Sequence, residues 1–129
     1  MNVVVLGCER LPPEADFPSL DLPKFSWLQF LDLSDEDVVD RCWRADAIVT
    51  IGVPVSAQVI DEAFKLSLII SAGDSIEHID LAPASKRGIS VLNIPQTELN
   101  HDNAQDICNQ IVQMIDAFNH GEIINKVND

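Results

Sequence analysis

A chain of 129 residues, 47% of them apolar, is long enough to bury a sizeable core in one domain and too short for two comfortable ones. Eight basic residues against 21 acidic ones give a formal charge of −13, spread along the chain rather than gathered in a tail. A phosphate backbone or an anionic membrane would repel such a chain, so nucleic acid is not an expected partner.

Cys8, Cys42 and Cys108 are far apart, with no CxxC and no neighbouring His pair, which reads as reduced thiols filling a core rather than a disulfide frame or zinc site. With no basic leader and no apolar run approaching about eighteen residues, the sequence predicts neither signal peptide nor membrane span, hence a soluble cytoplasmic protein.

In chain order, residues 3–6 (VVVL) closed by Gly7 read as a buried strand ending in a turn. A dinucleotide site would need GxGxxG leading into a helix. Here one glycine is followed by Cys8, Glu9, Arg10, Pro12 and Pro13, so no nucleotide is expected at this strand. Pro12, Pro13, Pro18 and Pro23 make residues 11–24 a loop with at most a short helical turn. Residues 25–33, with Trp27, Leu28, Phe30, Leu31 and Leu33, suit a second strand or a short helix.

Ser34 before Asp35, Glu36 and Asp37 is a helix start, a hydroxyl cap followed by carboxylates at the positive end of the dipole, with Val38, Val39, Cys42 and Trp43 as its apolar face. Residues 47–51 form the next buried strand, stopped by Gly52 and Pro54. Ser56 then caps a helix predicted to turn Val59, Ile60 and Phe64 inward. Residues 66–70 are a nearly continuous apolar strand that stops at Ala72 and Gly73. A helix follows over 80–86, ended by Arg87 and Gly88, and a last strand runs over 90–94. The segment 103–119 is a strongly amphipathic helix, with Ile107, Ile111, Met114, Ile115 and Phe118 on one face and Gln105, Asn109, Gln113 and Asp116 opposite. Alternating strands and helices predict an α/β domain with a parallel sheet, helices on both faces and right-handed crossovers.

The stretch KLSLIISAGDSIEHID over residues 65–80, continued by LAPASKRGISVLNIP over 81–95 and by Asn103 and Ala104, resembles the substrate-binding (catalytic) domain of the D-isomer specific 2-hydroxyacid dehydrogenases. Gly73, Glu77, His78, Ile79, Asp80, Ala84, Arg87, Gly88, Val91, Asn93, Pro95, Asn103 and Ala104 fall in the places of that family's pattern, and residues 45–66 match more weakly. The resemblance implies a flavodoxin-like, doubly wound parallel sheet in three α/β/α layers, as a single domain over residues 1–129. It also implies an NAD-dependent oxidoreductase as the full architecture. The family's cofactor fingerprint and its substrate-protonating residues belong to a separate nicotinamide-binding domain and have no counterpart in these residues. The expectation is therefore that this chain alone binds no cofactor and transfers no hydride.

In the family, backbone amides of the loop matching Gly73, Asp74, Ser75 and Ile76 hold the substrate carboxylate. These four, with His78 beside them, are the substrate-binding positions carried over, for a small 2-oxo or 2-hydroxy acid. Two departures stand out. Ser75 replaces a glycine, and Asp74 stands where an apolar residue is usual; a carboxylate about 4 Å from a bound carboxylate costs about 1 kcal/mol in water-like surroundings. Asp74 reads equally as a turn residue capping a backbone N–H, and His78 as a hydrogen-bonded structural histidine. His101 and His120 are expected to be exposed, Ser71 is given no role, and Asp35, Glu36, Asp37, Asp61 and Glu62 read as surface charges rather than metal ligands. The family's counterpart of helix 103–119 helps to build a dimer. Ile107, Ile111, Met114, Ile115 and Phe118 are therefore either an interface, with a second copy or a cofactor-bearing subunit, or the helix's contact with its own sheet.

Overall fold

The computed structural model describes residues 1–31, 33–72, 78–94, 102–123 and 126–127. The strands are β1 (Asn2–Leu6), β2 (Ser26–Phe30), β3 (Ala47–Thr50), β4 (Leu68–Ala72) and β5 (Ser90–Ile94). The helices are α1 (Asp35–Cys42), α2 (Ala57–Glu62), α3 (Leu81–Lys86) and α4 (Ala104–Asn119), and a single 3-10 turn, Cys8–Arg10, follows β1. The sheet is five-stranded and parallel throughout, in the order β2-β1-β3-β4-β5. This is the flavodoxin-like order.

Register decides which side chains share a layer. Val4, Ile48, Ile69 and Val91 stand opposite one another across β1, β3, β4 and β5, and pack with Val38, Cys42, Val59, Ile60 and Ala84 of α1, α2 and α3. One residue along, Val5, Val49, Ile70 and Leu92 form the row on the opposite face, packed against α4. Both faces of β1, β3, β4 and β5 are covered, so these strands read as nearly continuous apolar runs, whereas the edge strand β2 is partly exposed.

The crossover from β1 to β2 carries no α-helix. Its prolines remove N–H donors, and Leu20, with Leu11, Phe17 and Leu22, lies instead on the α4 side of the sheet. Side chains of α4 satisfy the loop backbone: Asp16 N–H donates to Gln105 Oε1 at 2.9 Å, Gln105 Nε2 donates to the Asp16 carbonyl at 2.7 Å, and Asp21 N–H donates to Asp116 Oδ1 at 3.0 Å.

That arrangement bears on the two uses left open for α4. Ile107, Ile111, Met114 and Ile115 are buried in the chain's own core and Phe118 packs at its margin. The face is spent on the sheet, so a partner approaching α4 would meet its polar side.

Two inward assignments are corrected. Trp43 lies just beyond the last residue of α1 and is 43% exposed, and Phe64 is 60% exposed. The reason is that α2 stops at Glu62 and Ala63 leaves helical geometry (ψ 75°), so the helical phase that would bring Phe64 inward is lost and Leu66 closes the core in its place. The two rings lie 6.3 Å apart on the surface, with the Arg44 guanidinium 4.5 Å over Trp43.

A helix of six residues is too short to hold itself together. α2 is anchored at both ends by residues that come later in the chain. At its start Ser56 Oγ accepts from Val59 N–H at 3.4 Å and Asp80 Oδ2 from Ala57 N–H at 2.7 Å. At its end the Arg87 guanidinium donates to the carbonyls of Ile60, Ala63 and Phe64. The free cysteines sit as expected for packing residues: Cys42 and Cys108 are buried, and burial pushes their thiols up to about 12 and about 11. Among the described residues, no helix is long and apolar enough to cross a membrane.

Candidate functional site

The chain leaves β1 for β2 on one side and returns to β3 on the other. The carboxyl ends of β1 and β3 therefore diverge, and an open parallel sheet places ligands at such a switch point. Gly7 (φ 84°) and Gly52 (φ 80°) end these two strands in left-handed turns. A β-carbon on Gly7 would meet the Ile51 carbonyl at 2.5 Å and Arg10 Nη1 at 2.7 Å. One on Gly52 would lie 3.4 Å from Arg10 Nε. The Arg10 side chain thus lies across both glycines, over the switch point itself. Its guanidinium also meets Glu9 Oε1 at 3.3 Å.

The last inward position of each neighbouring strand is polar. In register across β3, β4 and β5 stand Thr50, Ser71 and Asn93, on the face otherwise built from α1, α2 and α3 contacts. Thr50 is used locally: its Oγ1 donates to the Val53 carbonyl at 2.6 Å and accepts from Val53 N–H at 3.0 Å, closing the turn after β3. Ser71 is fully buried, with its Oγ 3.3 Å from His78 Nε2. The Oδ1 of Asn93 is buried and, among the described residues, has no hydrogen-bond partner. An orphaned acceptor in such a place costs about 1–3 kcal/mol unless something donates to it.

His78 is fixed from two sides. Its carbonyl accepts from Val55 N–H at 2.8 Å and its ring meets Ser71, which ties the turn before α3 to both the β3–α2 loop and β4. Burial first, and the charge of Arg10 second, hold its pKa below the ordinary 6.5. The imidazole is therefore neutral near pH 7. With the folded pKa depressed, the unfolded chain binds more protons over the window from 6.5 down to the folded value, so stability held above pH 6.5 is lost as pH falls through that window. Urea unfolding from about pH 7 down to about pH 5 is expected to show a smaller loss of stability for His78→Gln than for the native chain. Parallel curves would mean that the fold does not discriminate between the ring's two protonation states.

The predicted carboxylate-binding positions Gly73, Asp74, Ser75 and Ile76 lie outside the described residues, as do Glu77, Pro95 and His101. Residues 73–77 lie in the chain between Ala72, at the end of β4, and His78. His120 is exposed, with its Nδ1 2.7 Å from the Asp116 carbonyl. Among the described residues, no three His, Cys, Asp or Glu side chains come together as a metal site would require. Sequence reading passed over Ser71 and Arg10. The signal for Ser71 was the polar residue closing an otherwise apolar strand, repeated in Thr50 and Asn93; for Arg10 it was a lone cation just past the first strand of an acidic chain.

The turn after β1 does not fit a nicotinamide dinucleotide. The space at Gly7 is filled by the chain's own Ile51 carbonyl and Arg10, and the segment that follows is one 3-10 turn carrying Glu9, not an α-helix whose free N–H groups could cradle a pyrophosphate.

Comparison with known proteins identifies the family. Residues 8–128 match the model of the D-isomer specific 2-hydroxyacid dehydrogenase catalytic domain. The chain is 27% identical over 96 residues to a putative 2-hydroxyacid dehydrogenase of Haemophilus influenzae, covering 73% of this chain and 30% of that protein. It is 36% identical over 64 residues to D-3-phosphoglycerate dehydrogenase of Methanocaldococcus jannaschii, covering 49% of this chain and 12% of that one. Among solved structures, the NAD+-bound 3-phosphoglycerate dehydrogenase of Entamoeba histolytica superposes with a TM-score of 0.57 at 21% identity, over 72% of this chain and 32% of the other. The chain thus spans less than a third of the length of each.

Proposed function

Since the chain belongs to the D-isomer specific 2-hydroxyacid dehydrogenases, as a relative of their catalytic domain, we propose that the carboxyl edge of its sheet binds a small 2-oxo or 2-hydroxy acid. The observation that carries this reading is the meeting of Ser71 and His78 at the switch-point edge, on either side of the loop that holds Gly73, Asp74, Ser75 and Ile76. The amides of that loop take the carboxylate. The neutral His78 imidazole, fixed by Ser71, offers a hydrogen bond to the oxo or hydroxyl oxygen. The Asp74 carboxylate counts against the anion unless its side chain turns away or a cation sits between them.

Hydride transfer needs a nicotinamide held against the carbonyl, and these residues supply the acid's half of such a site. Dehydrogenase activity is therefore proposed for this domain joined to a nicotinamide-binding unit, in one longer chain or as a separate subunit. Pairing through Ile107, Ile111, Met114, Ile115 and Phe118 forms no part of this reading, because those side chains build the core.

Thermal unfolding against a panel of 2-oxo and 2-hydroxy acids tests it. An acid at a hundred times its dissociation constant adds about 2.7 kcal/mol, or roughly 10 °C for a domain of this size. No shift with any acid would overturn the reading.

A further inference from the structure

The two edges of the sheet are treated differently by the chain. Along β5 its own tail pairs antiparallel: Lys126 lies opposite Leu92, and Val127 N–H donates to the Val91 carbonyl at 2.8 Å. At the other edge β2 borders β1 alone among the described residues. Ser26 N–H donates to the Met1 carbonyl and the Phe30 carbonyl accepts from Gly7 N–H, so the even-numbered positions of β2 turn their backbone toward β1. Alternation turns the N–H and C=O groups of Trp27 and Gln29 outward. Open edges are commonly blunted by proline, lysine or a bulge, and the regularly paired residues Ser26–Phe30 contain none of these.

We propose that β2 takes an extended segment of another protein as an added strand, one in which acidic residues alternate with apolar ones. Side chains of an added strand point to the two faces of the sheet in turn. Toward α1 they meet a groove of about 340 Å³ in which Leu28 and Trp43 are apolar and Arg41 and Arg44 stand against one carboxylate, Asp40. Each guanidinium lies over a ring, Arg41 5.6 Å from the centre of Phe30 and Arg44 4.5 Å from that of Trp43, which holds the charge at the groove and leaves N–H groups to donate. A glutamate fits there, its stem on Leu28 and its carboxylate on an arginine. On the opposite face a groove of about 200 Å³ bordered by Phe17, Pro18, Phe25 and Trp27 suits an apolar side chain. Among the described residues, five of the seven large apolar side chains left exposed lie on or beside this edge: Phe25, Leu28, Leu31, Trp43 and Phe64. A second copy fits less well. Pairing β2 with β2 about a two-fold axis sets the α1 faces side by side, arginines against arginines, between chains of net charge −13. This docking surface does not depend on acid binding at the carboxyl edge.

The chain has two tryptophans, Trp27 and Trp43, and each lines one of the grooves, so their fluorescence reads the edge directly. The experiment titrates the whole chain with synthetic peptides of about eight residues, long enough to span β2, alternating glutamate with valine or lysine with valine. The glutamate peptide is expected to bind about tenfold or more tightly than the lysine peptide, and the double variant Arg41→Glu, Arg44→Glu to reverse that order. Both arginines are exposed, so the variant keeps the fold. N-methylation of one alternate set of peptide amides should abolish binding and of the other set leave it, because only one set faces β2. No binding of the glutamate peptide, equal binding of both peptides, or equal tolerance of the two N-methylated sets would overturn the proposal. Sedimentation showing a native dimer that Leu28→Lys dissociates would assign the edge to a second copy and overturn it as well.

Discussion

Arg87→Ala is expected to lower the unfolding free energy by about 2–3 kcal/mol, a large effect for a surface arginine. A helix of six residues cannot pay for its own nucleation, and the carbonyls that close α2 have one donor group in common, the Arg87 guanidinium. Charge-assisted hydrogen bonds contribute about 1.5–3 kcal/mol each in buried settings, and partial exposure at Phe64 reduces the sum. Lys86→Ala, one residue earlier at the end of α3, provides the control and is expected to change stability by less than about 0.5 kcal/mol. Urea unfolding of both variants decides the matter. Equal effects would mean that the guanidinium is not what closes α2.

Ile111→Ala is expected to cost about 3 kcal/mol, within the range for deleting a fully buried aliphatic side chain whose cavity cannot collapse. Ile111 is 0% exposed, amid Ile107, Met114 and Ile115 and against the sheet row that contains Val49 and Ile70. If these residues are core, the loss is independent of protein concentration, since nothing but the chain itself covers them. If they formed an interface, the midpoint for the native chain would rise with concentration and the substitution would abolish that rise. Unfolding at two concentrations a hundredfold apart separates the two, and core packing predicts superimposable curves.

Much of this architecture is legible in the residues, because its signals are local. The apolar strands, the Ser34 and Ser56 caps and the stripe on α4 all appear within a few positions, and β1, α1, β3, α3, β5 and α4 fall within a residue or two of where the patterns put them. What escaped is set by geometry that no short window contains. Phe64 has the right spacing for the face of α2, but where α2 ends is decided by Arg87, more than twenty positions later. Trp43 and Phe64 then pack on each other instead of inside. The site was only half readable for the same reason. Gly73, Asp74, Ser75, Ile76 and His78 form one recognisable string, whereas Ser71, Asn93 and Arg10 come to the same end of the sheet only through strand register and the left-handed turns at Gly7 and Gly52. Ser71 in particular is an unremarkable serine until the turn before α3 brings His78 back to within 3.3 Å of it.

Acid binding at the carboxyl edge is tested most directly by following every backbone amide by NMR while a 2-oxo acid is titrated into the protein. The account predicts that the largest shifts fall on Gly73, Asp74, Ser75 and Ile76, with Ser71 and His78 responding in step and a single dissociation constant fitting them all. Shifts confined instead to the groove of about 340 Å³ between β2 and α1, around Leu28, Arg41 and Trp43, would place the ligand elsewhere and contradict it.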